Sequence, residues 1–203
     1  MKFFITIFLL GVMGFQLQMS YAQDKPKKLH EVTVKVKINA PAERVWEAMV
    51  LDYGEISNFS PYIYSSNYER GSLKGELGAE RTCSFNEKGT QWVHERIKSI
   101  DHDKMVMKNQ PINGAKIPMD FENTFAYYKV SDNGDGTSTA TYELYIRTKP
   151  AFMGAIAKGG FKKQLIGTLI GLKHYVETGE TVTPMNKRYD KIKIQYPTPE
   201  IVR

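Results

Sequence analysis

Two residues of opposite charge, Arg81 and Glu95, are the side chains in this sequence best suited to bind or act on a ligand. Between them, residues 86–89 fit a three-residue hairpin loop with Gly89 in the left-handed conformation. Counting back from that turn places Arg81 directly opposite Glu95, and opposite charges on one rung stabilise an antiparallel pair. A two-residue loop would instead set Glu80 against Glu95, two like charges, so we predict the three-residue register.

The strand face that carries this pair is the more apolar one, because it also holds Cys83, Phe85 and Val93. We therefore expect Arg81 and Glu95 to point towards the core. Burying two charges is costly unless they are matched and hydrogen-bonded. Two interpretations stay open: the pair is a structural contact in a cavity wall, or it is the polar group that orients a ligand.

The other reactive residue types indicate no catalytic residue, metal site or cofactor. The four histidines lack the H-x-E and H-x-x-x-H spacings of zinc sites. The single cysteine, Cys83, excludes an intramolecular disulfide and is typical of a small buried residue in a strand. The DNGDG stretch at residues 132–136 lacks the closing glutamate of a calcium loop and fits a hairpin turn. An arginine beside Glu95 favours the ionised carboxylate, which argues against a general acid.

Charge and the N-terminal pattern limit the partners and the compartment. The net charge is +6, but the lysines are scattered among acidic residues, which argues against nucleic-acid binding. Residues 1–22 have the pattern of a signal peptide: a basic residue, an apolar run and small residues before a cleavage point. We expect cleavage after Ala22 and a periplasmic or secreted protein with no integral membrane segment afterwards. Residues 23–28 would then be a flexible leader.

The order of predicted elements indicates an α+β fold. A strand over residues 32–38 is followed by a helix that begins at Pro41 and by a short helix over residues 54–58. A meander of strands follows, predicted over residues 62–69, 77–85, 90–101, 104–109, 119–130 and 137–148. The Pro-flanked segment QPINGAKIP, residues 110–118, is expected to be a loop over an opening and a candidate lid.

A long helix is predicted after Pro150, with an apolar stripe that includes Leu165, Leu169 and Leu172. Its GTLIG stretch indicates close packing against neighbouring elements. Residues 181–203 form a C-terminal tail whose KIKIQY stretch fits either an edge strand or a disordered segment. Because one helix cannot fill the concavity of a large curved sheet, we expect a cavity between them.

Three features of the sequence together resemble the SRPBCC superfamily, the START-like group with the helix-grip fold. They are INAPAERVW near the first strand, the order Gly, Arg and Glu across the middle strands, and LIGLKHYVETGE in the last helix. The group contains polyketide cyclase/dehydrase and lipid-transport domains and the birch-pollen-allergen fold. The likeness covers residues 29–180, which we interpret as one domain. It implies a seven-stranded curved antiparallel sheet wrapped on the C-terminal helix, with two short helices after the first strand.

The resemblance also implies a hydrophobic ligand between the helix and the sheet, although such folds host binding proteins, transporters and a few enzymes. The predicted ligand-binding residues are Arg81, Cys83, Val93, Glu95, Met105, Met107, Phe121, Phe125, Tyr142, Leu144, Leu165, Leu169 and Leu172. Our preferred hypothesis is an exported binding protein for a hydrophobic small molecule or lipid. The alternatives are a cyclase- or dehydratase-like enzyme that uses Glu95, Arg81 or a cavity tyrosine, and an envelope interaction module that uses the lysine-rich surface and tail. The sequence leaves the oligomeric state open.

Overall fold

The computed structural model describes residues 28–69 and 71–202. The predicted signal peptide, residues 1–22, lies outside the described residues, as does the predicted leader apart from Lys28. All the strands of these two ranges belong to a single antiparallel sheet. Their bounds are β1 His30–Ile38, β2 Ser65–Tyr68, β3 Glu80–Ser84, β4 Trp92–Asp101, β5 Val106–Ala115, β6 Phe125–Asp132, β7 Ser138–Ile146 and β8 Glu200–Ile201.

The sheet order is β2-β3-β4-β5-β6-β7-β1-β8, so the strands from β2 to β7 form the predicted meander and β1 lies beside β7. The predicted α+β class and helix-grip architecture are confirmed. The sheet has eight strands in place of seven, because the short strand β8 pairs with β1 through Val34 and Lys35.

Helices cover one face of the sheet, which we call the inner face. After β1 come α1 Ala42–Trp46, a π-helical turn Glu47–Leu51 and a 3-10 helix Tyr53–Asn58. The long helix α2 Gly154–Thr178 is entered through a 3-10 turn, Ala151–Met153, and is followed by the short helix α3 Tyr189–Ile192. Gly179, with a φ of 78°, ends α2 in the left-handed conformation that glycine adopts without strain. Within the two described ranges, no helix is long and apolar enough to cross a membrane.

The GTLIG stretch lets α2 approach its neighbours closely, as predicted. A Cβ atom at Gly171 would lie 2.1 Å from the carbonyl oxygen of Phe59, and one at Gly167 would lie 2.5 Å from the ring of Tyr62. Both distances are shorter than any ordinary contact. At Gly171 the obstacle is backbone, so glycine is required there, whereas at Gly167 the Tyr62 ring would have to move. The C-terminal half of α2 therefore packs directly onto the segment that follows the 3-10 helix.

The predicted lid over residues 110–118 is wrong for most of its length, because β5 continues to Ala115 and stays paired with β4. Pro111 lies opposite Glu95, next to a register shift at which Ile112 is unpaired. A proline lacks the N–H that a regular ladder needs, and a bulge removes that requirement. Proline and glycine thus mark an irregular strand here, and only residues 116–118 lie in the connection to β6.

The C-terminal segment packs against the domain. Val182 and Ile192 are buried and form a small apolar cluster with Ile170 of α2. The KIKIQY stretch contains the end of α3 and the turn after it, so its alternation does not correspond to a strand. The edge strand lies further along the chain, at Glu200–Ile201.

A matched pair of glycine substitutions in α2 tests the close approach. Gly171→Ala should lower the free energy of unfolding by about 2 kcal/mol, because the added methyl group overlaps the Phe59 carbonyl. Gly159→Ala should raise it by about 0.5–1 kcal/mol, because nothing lies within 4 Å of that position and alanine favours the helix. Urea unfolding monitored by circular dichroism measures the free energy of unfolding of both variants. Equal effects at the two positions would contradict the packing described here.

Candidate ligand cavity

The hairpin between β3 and β4 has the predicted register. Arg81 pairs with Glu95 and Cys83 with Val93, and the turn between the strands has Gly89 at a φ of 64°. The Arg81 and Glu95 side chains both lie on the inner face. Arg81 is 1 % exposed, and the Glu95 side chain is 14 % exposed.

The Arg81 guanidinium is held by three acceptors from different parts of the chain. Nε and Nη2 donate to Glu95 Oε2, each at 2.8 Å, while Nη1 donates to the Tyr53 carbonyl oxygen at 2.6 Å. Nη2 also donates to the Tyr128 hydroxyl at 3.0 Å. The guanidinium carbon lies 3.9 Å from the centre of the Tyr53 ring, an arrangement that favours a cation. Burial alone lowers the pKa of Arg81, but Glu95 and the surrounding polar groups outweigh it and hold that pKa well above its usual value.

Asn109 closes this arrangement into a ring of hydrogen bonds. Its Nδ2 donates to Glu95 Oε1 at 2.8 Å, and its Oδ1 accepts from the Tyr53 hydroxyl at 2.5 Å. Both Glu95 oxygens are thus engaged by donors from within the protein. A buried ion pair that is matched and hydrogen-bonded in this way avoids the desolvation cost of an isolated charge.

Arg81, Glu95, Tyr53, Asn109 and Tyr128 form a polar cluster. Two side chains next to it, Cys83 and Tyr142, stay neutral at physiological pH. Burial raises the pKa of the Cys83 thiol to about 11, and the nearby Arg81 only partly offsets that rise. A thiol in this state is a poor nucleophile. Burial likewise raises the pKa of the Tyr142 hydroxyl well above its usual value. Tyr142 stacks against Tyr128 across β6 and β7, with ring centroids 4.3 Å apart.

A cavity of about 330 Å³ lies between this cluster and the N-terminal half of α2. The inner face forms one wall, and α2 forms the other through Ala157, Gly160, Phe161 and Leu165. Ile117 and the two residues after it, in the connection between β5 and β6, also border the cavity. The lining is mostly apolar, and this volume lies in the range of small-molecule sites.

The structure brings most of the predicted ligand-binding residues to this cavity. Those that line it are Arg81, Cys83, Val93, Glu95, Tyr142, Leu144 and Leu165. Their part in ligand binding stays a prediction, whereas their position in the wall is a feature of the structure. Phe125, the first residue of β6, borders the cavity, but its ring stacks on Tyr145 on the outer face.

The other predicted residues do not line the cavity, and each has a structural reason. Met105 has a φ of 48° and lies in the turn before β5, outside the strand predicted for it. Met107 is fully buried in the core. Phe121 lies before β6 and packs over Gly114 of β5.

Leu169 and Leu172, also predicted, are fully buried in the core beyond the end of the cavity. The cavity ends at Thr168, because the C-terminal half of α2 contacts the segment near Phe59 directly. The apolar stripe of α2 therefore serves two purposes, cavity wall in one half and closed core in the other.

Sequence reasoning missed the three partners of the ion pair, Tyr53, Asn109 and Tyr128. The prediction of Phe125 as a ligand-binding residue placed the wrong face of β6 inwards, since the inner face of that strand carries Ala126 and Tyr128. The alternation of residue types along β6 could have shown which of its faces is buried. Lys129 shares a face with Tyr127, and a charged residue at that position marks the solvent side of a strand.

The described lining of the cavity contains neither a histidine nor a group of side chains that could hold a metal ion. None of the four histidines lines it, and His94 contacts Glu80 on the outer face, with Nε2 and Oε2 2.8 Å apart. In the described part of the chain, no group of three or more His, Cys, Asp or Glu side chains could hold a metal ion. The arrangement offers an apolar binding surface with one internally neutralised ion pair.

Comparison with known families identifies a match over most of the described chain. The family described as polyketide cyclase / dehydrase and lipid transport matches residues 30–177. Pathogenesis-related protein 1 from Asparagus officinalis is 27 % identical over 119 residues, which cover 54 % of this chain and 73 % of that protein.

Solved structures agree on the fold. The crystal structure of Ara h 8.0201 is similar with a TM-score of 0.61 and 19 % identity, over 74 % of this chain and 99 % of that one. The protein XoxI from Bacillus cereus is similar with a TM-score of 0.56 and 18 % identity, over 73 % of this chain and 96 % of that one. At these identities the likeness concerns the fold alone.

Removing one charge of the buried pair should be far more costly than removing one from a pair on the outer face. Glu95→Gln leaves the Arg81 charge without its counter-ion, so the free energy of unfolding should fall by about 3 kcal/mol. The matched control is Glu143→Gln, since Glu143 pairs with the more exposed Lys129 at 2.7 Å. That change should cost about 1 kcal/mol or less. Urea unfolding at pH 7 measures both, and equal losses would show that the buried pair has no special structural role.

Proposed function

The chain belongs to the polyketide cyclase / dehydrase and lipid transport family, and we propose that it is an exported binding protein for a hydrophobic small molecule or lipid. The observation that carries the proposal is the apolar cavity of about 330 Å³ between the sheet and α2. Its wall contains one ion pair, Arg81 and Glu95, whose charges neutralise each other. Such a cavity favours an apolar ligand over a strongly charged one.

Burial of apolar ligand surface is the main favourable contribution to binding in such a cavity. Burying roughly 300 Å² of apolar ligand surface contributes around 7 kcal/mol before the costs of association. Because about 7 kcal/mol corresponds to a Kd of about 10 µM, this gross figure sets the micromolar range as the upper limit of affinity, and the costs of association weaken it further. A carrier must also release its ligand, and this range allows exchange.

The alternative of a cyclase- or dehydratase-like enzyme has weaker support. Glu95 has both carboxylate oxygens engaged by Arg81 and Asn109, so a proton transfer at Glu95 would have to break an internal hydrogen bond. The raised pKa of Tyr142 keeps its hydroxyl protonated, so it is a poor general base near neutral pH.

Export is the part of the proposal that rests on the N-terminal sequence pattern. When the full-length chain is expressed in a Gram-negative host, the protein recovered from the periplasmic fraction should have an intact mass that begins at Gln23. Recovery of the protein only from the cytoplasm, with residues 1–22 retained, would contradict export and leave the binding proposal in place.

Blocking the cavity provides the direct test of ligand binding. The neutral fluorescent probe N-phenyl-1-naphthylamine should bind the purified protein with a blue-shifted emission. Leu165→Trp places a larger side chain in the cavity wall and should weaken probe binding at least tenfold. The matched control Leu73→Trp, at a side chain that is 61 % exposed, should leave it unchanged. Circular dichroism confirms that both variants are folded. Equal affinity of Leu165→Trp and the unaltered protein would refute the assignment of the cavity as the binding site.

A further inference from the structure

Two tyrosines that line the cavity, Tyr62 and Tyr142, have a buried hydroxyl without a hydrogen-bond partner among the described residues, and Tyr142 is the more deeply buried of the two. Tyr142 is 2 % exposed and lines the cavity, and its hydroxyl has no hydrogen-bond partner among the described residues. Its neighbour Tyr128 differs, because the Tyr128 hydroxyl accepts a hydrogen bond from Arg81. A buried hydroxyl without a partner is unfavourable, so a ligand that supplies one gains affinity at this position.

The charges of the wall determine which kind of polar group the ligand can carry. Arg81 and Glu95 are the charged residues among the described side chains that line the cavity. They contact each other at 2.8 Å, and the remaining contacts of the pair go to Tyr53, Tyr128 and Asn109. A ligand carboxylate would bring a second negative charge near Glu95, with no unpaired cation in the wall to receive it. A ligand cation would likewise be repelled by Arg81, because Glu95 is already paired with that residue.

We propose that the cavity selects a neutral ligand with an apolar body and a single oxygen-bearing group, an alcohol or a carbonyl, which hydrogen-bonds to the Tyr142 hydroxyl. This inference rests on the proposed binding function and narrows it to a chemical class. A tyrosine hydroxyl both donates and accepts, so it serves an alcohol and an ester carbonyl alike. Fatty acids, which are ionised at neutral pH, are the class that the cavity excludes.

A series of compounds with the same chain length tests the charge selection in the unaltered protein. Displacement of N-phenyl-1-naphthylamine at pH 7.5 is measured for 1-decanol, methyl decanoate, decanoate and decane. The alcohol and the ester should bind at least tenfold more tightly than decanoate. Affinity for decanoate equal to or above that for 1-decanol would overturn the proposal. If neither the fluorescent probe nor any of the four compounds binds, the binding function itself fails, which is distinguishable from the loss of selectivity alone.

Removing one hydroxyl group tests whether Tyr142 is the hydrogen-bond partner of the ligand. Tyr142→Phe removes only the oxygen, so it should weaken binding of 1-decanol about fivefold and leave decane unchanged, as expected for the loss of one hydrogen bond. The matched control Tyr127→Phe changes a half-buried tyrosine that does not line the cavity and should affect neither compound. Unchanged affinity of Tyr142→Phe for 1-decanol would overturn the assignment, because the variant's affinity for decane reports independently that the cavity is intact.

Discussion

The burial of one guanidinium is the constraint on which the arrangement of this end of the molecule depends. Arg81 is 1 % exposed, and a charge in that position is tolerated only when it is neutralised and its donors are engaged. Glu95 of β4 supplies the counter-charge, and Tyr53 and Tyr128 supply further acceptors from the 3-10 helix and β6. Asn109 of β5 then holds the second oxygen of Glu95. Each contact is about 3 Å or shorter, so the position of every one of these elements is tied to a single side chain.

The features that were predicted correctly depend on short-range regularities. The β3–β4 register followed from a glycine at the left-handed position of a three-residue loop and from the pairing of opposite charges across it. The first strand followed from the alternation of Val32, Val34 and Val36 with polar residues, and these three valines are buried in β1. The close approach at GTLIG followed from two glycines one helical turn apart. In each case neighbouring residues determine the outcome through strand or helix periodicity.

The errors arose where tertiary context decides between two locally acceptable arrangements. Either face of β6 could have been buried, and the outer face holds Phe125 and Tyr127, whose rings lie near the lysine side chain of Lys108. The continuation of β5 beyond Pro111 depends on a bulge against β4, which only the partner strand reveals. The Tyr53 contact joins residues 28 positions apart through a backbone carbonyl, and no residue-type pattern predicts such a contact.

The location of the cavity follows from the uneven packing of α2. Towards its C-terminal end, Gly171 lies against the Phe59 backbone and Gly167 against the Tyr62 ring, so the helix and its neighbours meet without a gap. Towards its N-terminal end, Gly160 has nothing within 4 Å of its Cβ position and borders the cavity. The sheet cannot close this space, because the ion pair, Tyr53 and Tyr128 fix its inner face at the far wall. The open space beside Gly160 and the buried ion pair in the opposite wall together leave a mostly apolar cavity between α2 and the sheet.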